Sequence, residues 1–144
     1  MEWRHDGFVL TDDKSRLDLE AIMALLALSY WARERPRHIM QQAMEHSLCL
    51  GLLLENQLIG FARVVTDRAT FAWLCDVIIH PGHRGKGLGK WMMHSLLTHP
   101  QLQTVTAYLR TEDAHPFYEP FGFSPVETLR RSPLGTPASP PGSI

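Results

Sequence analysis

The feature that most constrains this chain is an apolar strand that leads through a glycine-rich loop into a helix. The predicted strand is Phe71 to Ile79, the loop runs from His80 to Gly87, and the helix begins near Leu88. Glycines let the backbone approach a ligand closely, and the unpaired amides and dipole of a helix start attract an anion. The segment from Val77 to Lys90 is therefore predicted to bind a phosphate group.

The charge pattern around this loop agrees with that prediction. No Asp or Glu occurs between Asp76 and Glu112, and the same window holds four histidines and four permanent cations: Arg84, Lys86, Lys90 and Arg110. The whole chain of 144 residues carries a formal net charge of −1, so no general attraction to nucleic acid or to an anionic membrane is expected. On the loop alone, an ordinary turn with solvated cations remains the alternative.

The glycine spacing separates the possible ligands. A P-loop requires G-x-x-x-x-G-K-[ST], but Gly82 and Gly87 are followed here by Leu88 and Gly89. The dinucleotide fingerprint requires G-x-G-x-x-G, whereas residues 85–89 read G-x-G-x-G. The pattern that does match is R-x-x-G-x-G, from Arg84 to Gly89.

This pattern resembles the signature of the GNAT superfamily of acyl-CoA N-acyltransferases, in which a strand precedes [QR]-x-x-G-x-[GA] and a helix. A second segment, from Ala114 to Phe123, resembles the family's A-x-x-[FL]-Y-x-x-x-G-F. The resemblance covers roughly residues 7 to 129. It implies that the donor is acetyl-CoA and that the acceptor is a primary amine of a small molecule or of a protein.

The order of the elements predicts an α/β (α+β) fold with a mixed, mostly antiparallel twisted sheet. A central parallel βαβ unit and helices on both faces complete it. Strands are expected at Gly7–Leu10, Leu48–Leu54, Leu58–Val65, Phe71–Ile79, Thr104–Leu109 and Phe123–Leu129. Helices are expected from Asp18 to Tyr30, Pro36 to Ser47, Leu88 to Thr98 and Ala114 to Glu119. Residues 1–131 form one predicted domain, and the proline-rich residues 132–144 a flexible tail.

The resemblance assigns the cofactor-binding residues to two segments. The main chain of Val77, Ile78 and Ile79 is expected to pair with the pantetheine amides, which requires a splayed sheet edge. The pyrophosphate is expected on the backbone amides of Arg84, Gly85, Lys86, Gly87, Leu88, Gly89 and Lys90. The second segment is expected to contribute Thr111, His115, Phe117 and Tyr118, although the family often has Asn in the place of Thr111.

Two residues are the candidate catalytic groups. The resemblance places Tyr118 beside the coenzyme sulfur, where its phenol can protonate the departing thiolate; the alternative is a ring packed beside Phe117 and Phe121. Asp76 interrupts an apolar strand, where a carboxylate is costly unless it faces a cleft or a partner. It is a candidate to orient a cationic substrate or to relay its proton, and the alternative is a structural salt bridge or cap. Other candidate bases are Glu112, Asp113 and His115.

The acceptor is expected beside the aromatic pair Tyr30 and Trp31, which lies between the first two helices and covers the acceptor site in the family; core packing is the alternative. Together with Asp76, this pair suggests a small cationic or aromatic amine. No metal is expected, because the two cysteines lie on separate strands, and no nucleophile elbow is present, so direct transfer is predicted. A cytoplasmic location and a possible homodimer complete the expectations.

Two other functions remain open. The same fold can bind coenzyme A without turnover, because binding and chemistry depend on different residues. A nucleic-acid or general phosphate binder is the second alternative, and the net charge of −1 argues against it.

Overall fold

A computed structural model describes residues 1–133, in which six strands form one sheet whose order follows the chain. The strands are Glu2–His5 (β1), Phe8–Thr11 (β2), Leu48–Leu54 (β3), Gln57–Thr66 (β4), Phe71–Ile79 (β5) and Thr106–Leu109 (β6). The helices are Leu19–Leu26 (α1), Arg37–Glu45 (α2), Leu88–Leu97 (α3) and His115–Tyr118 (α4). Neighbouring strands are antiparallel except β5 and β6, which are parallel and joined through α3, so the predicted mixed sheet is confirmed.

Local turn chemistry explains the antiparallel hairpins. Between β3 and β4, Glu55 and Asn56 both have positive φ angles, of 52° and 65°, as a two-residue turn that matches the strand twist requires. Between β4 and β5, the carboxylate of Asp67 accepts hydrogen bonds from three backbone amides, those of Ala69, Thr70 and Phe71. Each turn therefore fixes the register of the strands that it joins.

Helices cover both faces of the sheet. Phe61 on β4 is fully buried in a cluster that α1 and α2 form over one face: Leu17, Ile22, Leu25, Leu26, Ala32, Met40, Met44, Cys49, Phe61 and Ile78. Side chains alternate along a strand, so Leu50 and Ala62 point to the opposite face. There α3, which contacts β5, buries Met92 and Met93 completely.

The structure differs from the sequence-based expectations in three places. It contains an edge strand, β1, that the sequence does not predict, because Glu2–His5 is short, polar and mostly exposed. Helix α1 ends at Leu26 rather than near Tyr30. The expected strand Phe123–Leu129 is wrong, since that stretch is irregular in the structure. Its apolar residues recur every third position rather than every second, and Pro125 within it lacks the amide that a strand ladder needs.

The chain forms two units, of which the first, Met1–Leu109, contains the whole sheet and helices α1 to α3. The second begins at Arg110 and contains α4. Apart from its first two residues, the predicted tail of residues 132–144 lies outside the described part of the chain. Within residues 1–133, no helix has the length and apolar character needed to cross a membrane.

The buried aromatic ring of Phe61 gives the first testable prediction. We expect Phe61→Ala to lower the free energy of unfolding by about 3–5 kcal/mol, because the substitution leaves a cavity in the core beneath α1 and α2. Phe71→Ala is the matched control, since Phe71 is 43% exposed and should cost much less. Urea unfolding measures both, and equal losses in the two variants would contradict the assigned core.

Candidate active site

A bulge in β5 shapes the site. Arg63 on β4 is opposite Cys75, and Phe61 is opposite Ile78, so Asp76 and Val77 together face a single residue of β4. Asp76 has a φ angle of 55°, which is unusual for a residue with a side chain. Because a bulge bends its strand and increases the local twist, the direction of β5 changes at Asp76.

The edge of β5 is open beyond this bulge. β6 pairs with β5 only from Phe71 to Leu74, and within the described residues no other strand pairs with that edge. The stretch from Cys75 to Ile79 therefore presents backbone donors and acceptors that can bind an extended ligand as an added strand would. The expected pairing of pantetheine with Val77, Ile78 and Ile79 requires an unpaired edge of this kind.

The loop after β5 is held by side-chain contacts with the main chain. The ring of His80 accepts a hydrogen bond from the Gly82 amide at 3.0 Å and so caps a 3₁₀ turn at Pro81–His83. Nε of Arg84 donates to the carbonyl oxygen of Ile79 at 3.1 Å. These contacts hold the strand end and the loop in place without a ligand, and the Arg84 side chain serves partly to close the loop.

The loop reaches α3 through two glycines in the left-handed region. Gly85 has a φ of 81° and Gly87 a φ of 75°, and a Cβ at either would meet no atom within 4 Å. Gly87 is also the N-cap of α3 and offers no side chain to accept from the first helical turn. The structure thus combines open space, a helix start without a side-chain cap, and the nearby cations Lys86 and Lys90, which together suit a phosphorylated ligand.

The Asp76 carboxylate lies at the other end of this stretch, fully buried between two arginines. Its Oδ2 atom accepts from Arg35 Nη1 at 2.8 Å and from Arg63 Nε at 2.9 Å. Its Oδ1 atom accepts from the indole N–H of Trp31 at 3.2 Å. Arg63 also donates to the Ser47 hydroxyl at 3.0 Å. We call these five side chains, Trp31, Arg35, Ser47, Arg63 and Asp76, the Asp76 network.

These contacts favour the structural interpretation of Asp76 over a role as base. Burial raises the pKa of Asp76, but the hydrogen bonds and charges of Arg35 and Arg63 outweigh it and hold the pKa below its usual value. A carboxylate with a lowered pKa is a poor proton acceptor at neutral pH. Its charge is also matched by the arginines, so the expected attraction of Asp76 for a cationic substrate is not supported by the geometry.

The two residues of the predicted aromatic pair, Tyr30 and Trp31, lie in different environments. Trp31 is partly buried and joins the Asp76 network, whereas Tyr30 is 49% exposed. Their rings meet edge to face, with centroids 5.1 Å apart. Trp31 therefore links the segment after α1 to β5, whereas Tyr30 is about half exposed.

The sequence did not single out Arg35, Ser47 or Arg63. A signal for Arg63 was present, because Arg63 and Asp76 each interrupt an apolar strand, and the two strands are consecutive. Opposite charges on adjacent strands of a hairpin suggest a cross-strand pair. No comparable pattern marks Arg35, which lies in the irregular connection between α1 and α2.

Both cysteines have the properties of neutral thiols rather than nucleophiles. Burial is the main reason that the pKa of Cys75 rises to about 12 and that of Cys49 to about 11. A thiol reacts through its thiolate, which is scarce at neutral pH when the pKa is this high. The environment of both thiols therefore agrees with direct transfer and offers no acyl-cysteine intermediate. Within residues 1–133, no three His, Cys, Asp or Glu side chains are grouped for a metal ion.

The second unit contains the remaining predicted residues. Thr111 accepts a hydrogen bond from the Ala114 amide at 3.1 Å, and the short helix α4 follows. The Tyr118 ring on α4 contacts the rings of Phe117 and Phe123, with centroids 4.9 Å and 5.8 Å away. Three other candidates of this unit, Glu112, Asp113 and His115, are exposed. Thr111 thus has a local structural contact, and Tyr118 belongs to an aromatic group.

Comparison with known proteins identifies the class that this fold and site define. Residues 19–123 match the Acetyltransferase (GNAT) family. A crystal structure of a Xanthomonas campestris pv. campestris protein described as belonging to the GNAT family is 36% identical, with a TM-score of 0.84. That likeness covers 92% of this chain and 97% of the other. The chain therefore belongs to the GNAT acetyltransferase family, as its two motifs predicted.

Two further similarities extend the comparison. FG08082 of Gibberella zeae, whose name proposes acetyltransferase activity, is 29% identical over 144 residues, which cover 83% of this chain and 81% of that protein. An N-acetylglutamate synthase from Neisseria gonorrhoeae, crystallised with coenzyme A and N-acetyl-glutamate, has a TM-score of 0.70. It is 15% identical, and the match covers 86% of this chain and 30% of the synthase, so it shows the shared fold alone.

The Asp76 network gives the second prediction. We expect Asp76→Asn to lower the free energy of unfolding by about 3–5 kcal/mol at neutral pH, because two arginines lose their buried counter-charge. Glu34→Gln removes an exposed carboxylate from the neighbouring position of Arg35 and should change stability by less than about 0.5 kcal/mol. Urea unfolding of both variants makes the comparison.

The pH dependence of the free energy of unfolding tests the same prediction. The folded pKa of Asp76 lies below its usual value of 3.8, so its contribution is fully present above that value and is lost as the pH falls further. The stability difference between wild type and Asp76→Asn should therefore shrink as the pH is lowered from about 7 to about 3. A difference that is constant over this range would contradict an ionised Asp76 paired with the two arginines.

Proposed function

We propose that the protein is an N-acetyltransferase that moves an acetyl group from acetyl-CoA directly to a primary amine. The observation that carries the proposal is the continuity of two features: the open edge of β5 and the uncapped start of α3. The loop between them is held in place by His80 and Arg84. One extended ligand with amides at one end and phosphates at the other fits this arrangement.

Coenzyme A has the required chemistry. Its pantetheine arm carries two amides, which can pair with the main chain of Val77 and Ile79 along the open edge. Its pyrophosphate suits the amides that follow Gly85 and Gly87, where no Cβ fills the space. Membership of the GNAT acetyltransferase family supports this choice of donor.

Direct transfer needs few side chains once donor and acceptor are aligned. The lone pair of the neutral amine attacks the thioester carbonyl carbon, the C–S bond breaks, and the amine nitrogen releases its proton. The thiolate that leaves accepts a proton, and we propose the Tyr118 phenol as its source. Because the geometry of Asp76 argues against a base there, the acceptor must lose its ammonium proton to water or to another group before attack.

Backbone freedom at Gly85 gives a test of donor binding. We expect Gly85→Ala to weaken the affinity for coenzyme A by about tenfold or more, because an L-residue is strained by roughly 1–2 kcal/mol at that φ and its Cβ enters the ligand's space. Isothermal titration calorimetry with coenzyme A measures the dissociation constants of wild type and variant.

Gly7→Ala is the matched control for this test. Gly7 has a φ of 83°, close to that of Gly85, and a Cβ there also meets no atom within 4 Å, but it lies in the β1–β2 turn. The control should lose similar stability and bind coenzyme A as wild type does. Equal affinities of all three proteins for coenzyme A would refute the assignment of the loop.

The role of Tyr118 gives a test of turnover. We expect Tyr118→Phe to lower kcat for thiol release from acetyl-CoA by about 100-fold or more while KM changes little, since the ring is kept and only the proton donor is lost. Tyr108→Phe is the control, because Tyr108 lies on β6 stacked against Phe71 and should keep full activity. Full activity of Tyr118→Phe would remove the proposed acid.

The second candidate function, coenzyme A binding without turnover, has a different signature. It predicts clear binding of coenzyme A by calorimetry together with no thiol release for any amine in a broad screen. The screen therefore separates the two functions without relying on a variant.

A further inference from the structure

The Asp76 network carries more positive than negative charge. Two guanidinium groups, those of Arg35 and Arg63, form ion pairs with the single carboxylate of Asp76. Within residues 1–133, neither arginine forms an ion pair with any other carboxylate. The network therefore holds a net charge of about +1 in a mostly buried position, where an unbalanced charge is costly.

This charge is only partly accessible to solvent, and mainly at Arg35. The Asp76 side chain is 0% exposed, the Arg63 side chain 13% and the Arg35 side chain 21%. Nη1 of Arg35 donates to Asp76 and contacts the Met40 sulfur, while Nε and Nη2 of Arg35 donate to no atom of the described residues. Arg35 thus presents unused donors of a planar fork, the geometry that binds a carboxylate in two places.

The position of the network relative to the donor follows from the direction of β5. The proposed pyrophosphate site comes after Ile79, and the proposed pantetheine edge runs back along the strand toward Cys75. The sulfur end of the donor must then approach the bulge at Asp76, which is bonded to Trp31 and Arg35. The excess positive charge therefore lies at the end of the site where the acceptor has to enter.

We propose that the acceptor is an amine that also carries a carboxylate, and that Arg35 binds this carboxylate with Arg63 and Asp76 holding the guanidinium in place. The inference rests on the proposed function and specifies its substrate class. A bound carboxylate places two anions against two guanidinium groups and so balances the network. A polycationic amine meets repulsion instead, which reverses the preference that Asp76 suggested in the sequence.

Matched acceptors test this specificity. Amines of different length that end in a carboxylate, such as β-alanine, 4-aminobutyrate and 4-(aminomethyl)benzoate, are compared with the corresponding carboxamides. Values of kcat/KM are corrected for the neutral fraction of each amine. We expect at least one carboxylate to be preferred over its amide by about tenfold or more, the factor of one charge-assisted hydrogen bond. Carboxamides that react as well as or better than their carboxylates throughout would overturn the inference.

Variants of Arg35 test whether this residue causes the preference for a carboxylate over a carboxamide. Arg35→Gln should abolish the preference for the carboxylate mainly through KM, and Arg35→Lys should keep part of it because the charge is retained. Arg33→Gln, at an exposed position two residues away, should leave the preference unchanged. Equal effects of Arg33→Gln and Arg35→Gln would contradict a specific role for Arg35.

A binding measurement separates this inference from the proposed function. The indole N–H of Trp31 donates to Asp76, so its ¹⁵N–¹H signal, assigned with Trp31→Phe, reports on the network. With coenzyme A present, the N-acetyl derivatives of the carboxylate probes should shift this signal, and the N-acetyl carboxamides should not. A shift without any turnover would reject the transferase and keep the anion site. Turnover without a carboxylate-dependent shift or preference would reject the anion site alone. The absence of turnover together with the absence of a carboxylate-dependent shift would also reject the anion site.

Discussion

The ion pairs of Asp76 are the interaction on which the site depends. A single buried carboxylate joins β4 through Arg63, the connection after α1 through Trp31 and Arg35, and β5 through its own backbone. Its φ angle of 55° marks a bulge that costs on the order of 1–3 kcal/mol in backbone strain. The bonds of the network offset this strain and so stabilise the bend beyond which β5 no longer pairs with β6.

The two halves of the site use different chemistry. On the donor side, the open edge of β5, the loop and the start of α3 offer mainly backbone groups, which suits a cofactor that is the same in every member of a family. On the proposed acceptor side, the groups are side chains: Trp31, Arg35 and the half-exposed Tyr30. Substitution changes side chains and leaves the backbone groups in place, so under the proposed function we expect specificity for the acceptor to depend on the second half.

The strand, loop and helix of the proposed donor half could be predicted from the sequence, because glycine spacing and the position of a loop between strand and helix are local properties. The acceptor half could not, since Arg35 meets Asp76 across 41 residues and only tertiary packing brings them together. Asp76 shows the difference clearly: its place in an apolar strand marked it as important, but the sign of the surrounding charge depended on Arg35 and Arg63. The irregular stretch Phe123–Leu129 failed as a strand because a few apolar residues without alternation do not specify one.

A crystal structure with bound coenzyme A tests the central claim most directly, because it shows whether one ligand occupies both the β5 edge and the α3 start. The account predicts hydrogen bonds between the pantetheine amides and the main chain of Val77 and Ile79. It also predicts the pyrophosphate on the amides from Gly85 to Lys90, with the sulfur directed toward the bulge at Asp76. Coenzyme A bound elsewhere, or bound with the Val77–Ile79 edge empty, would contradict it.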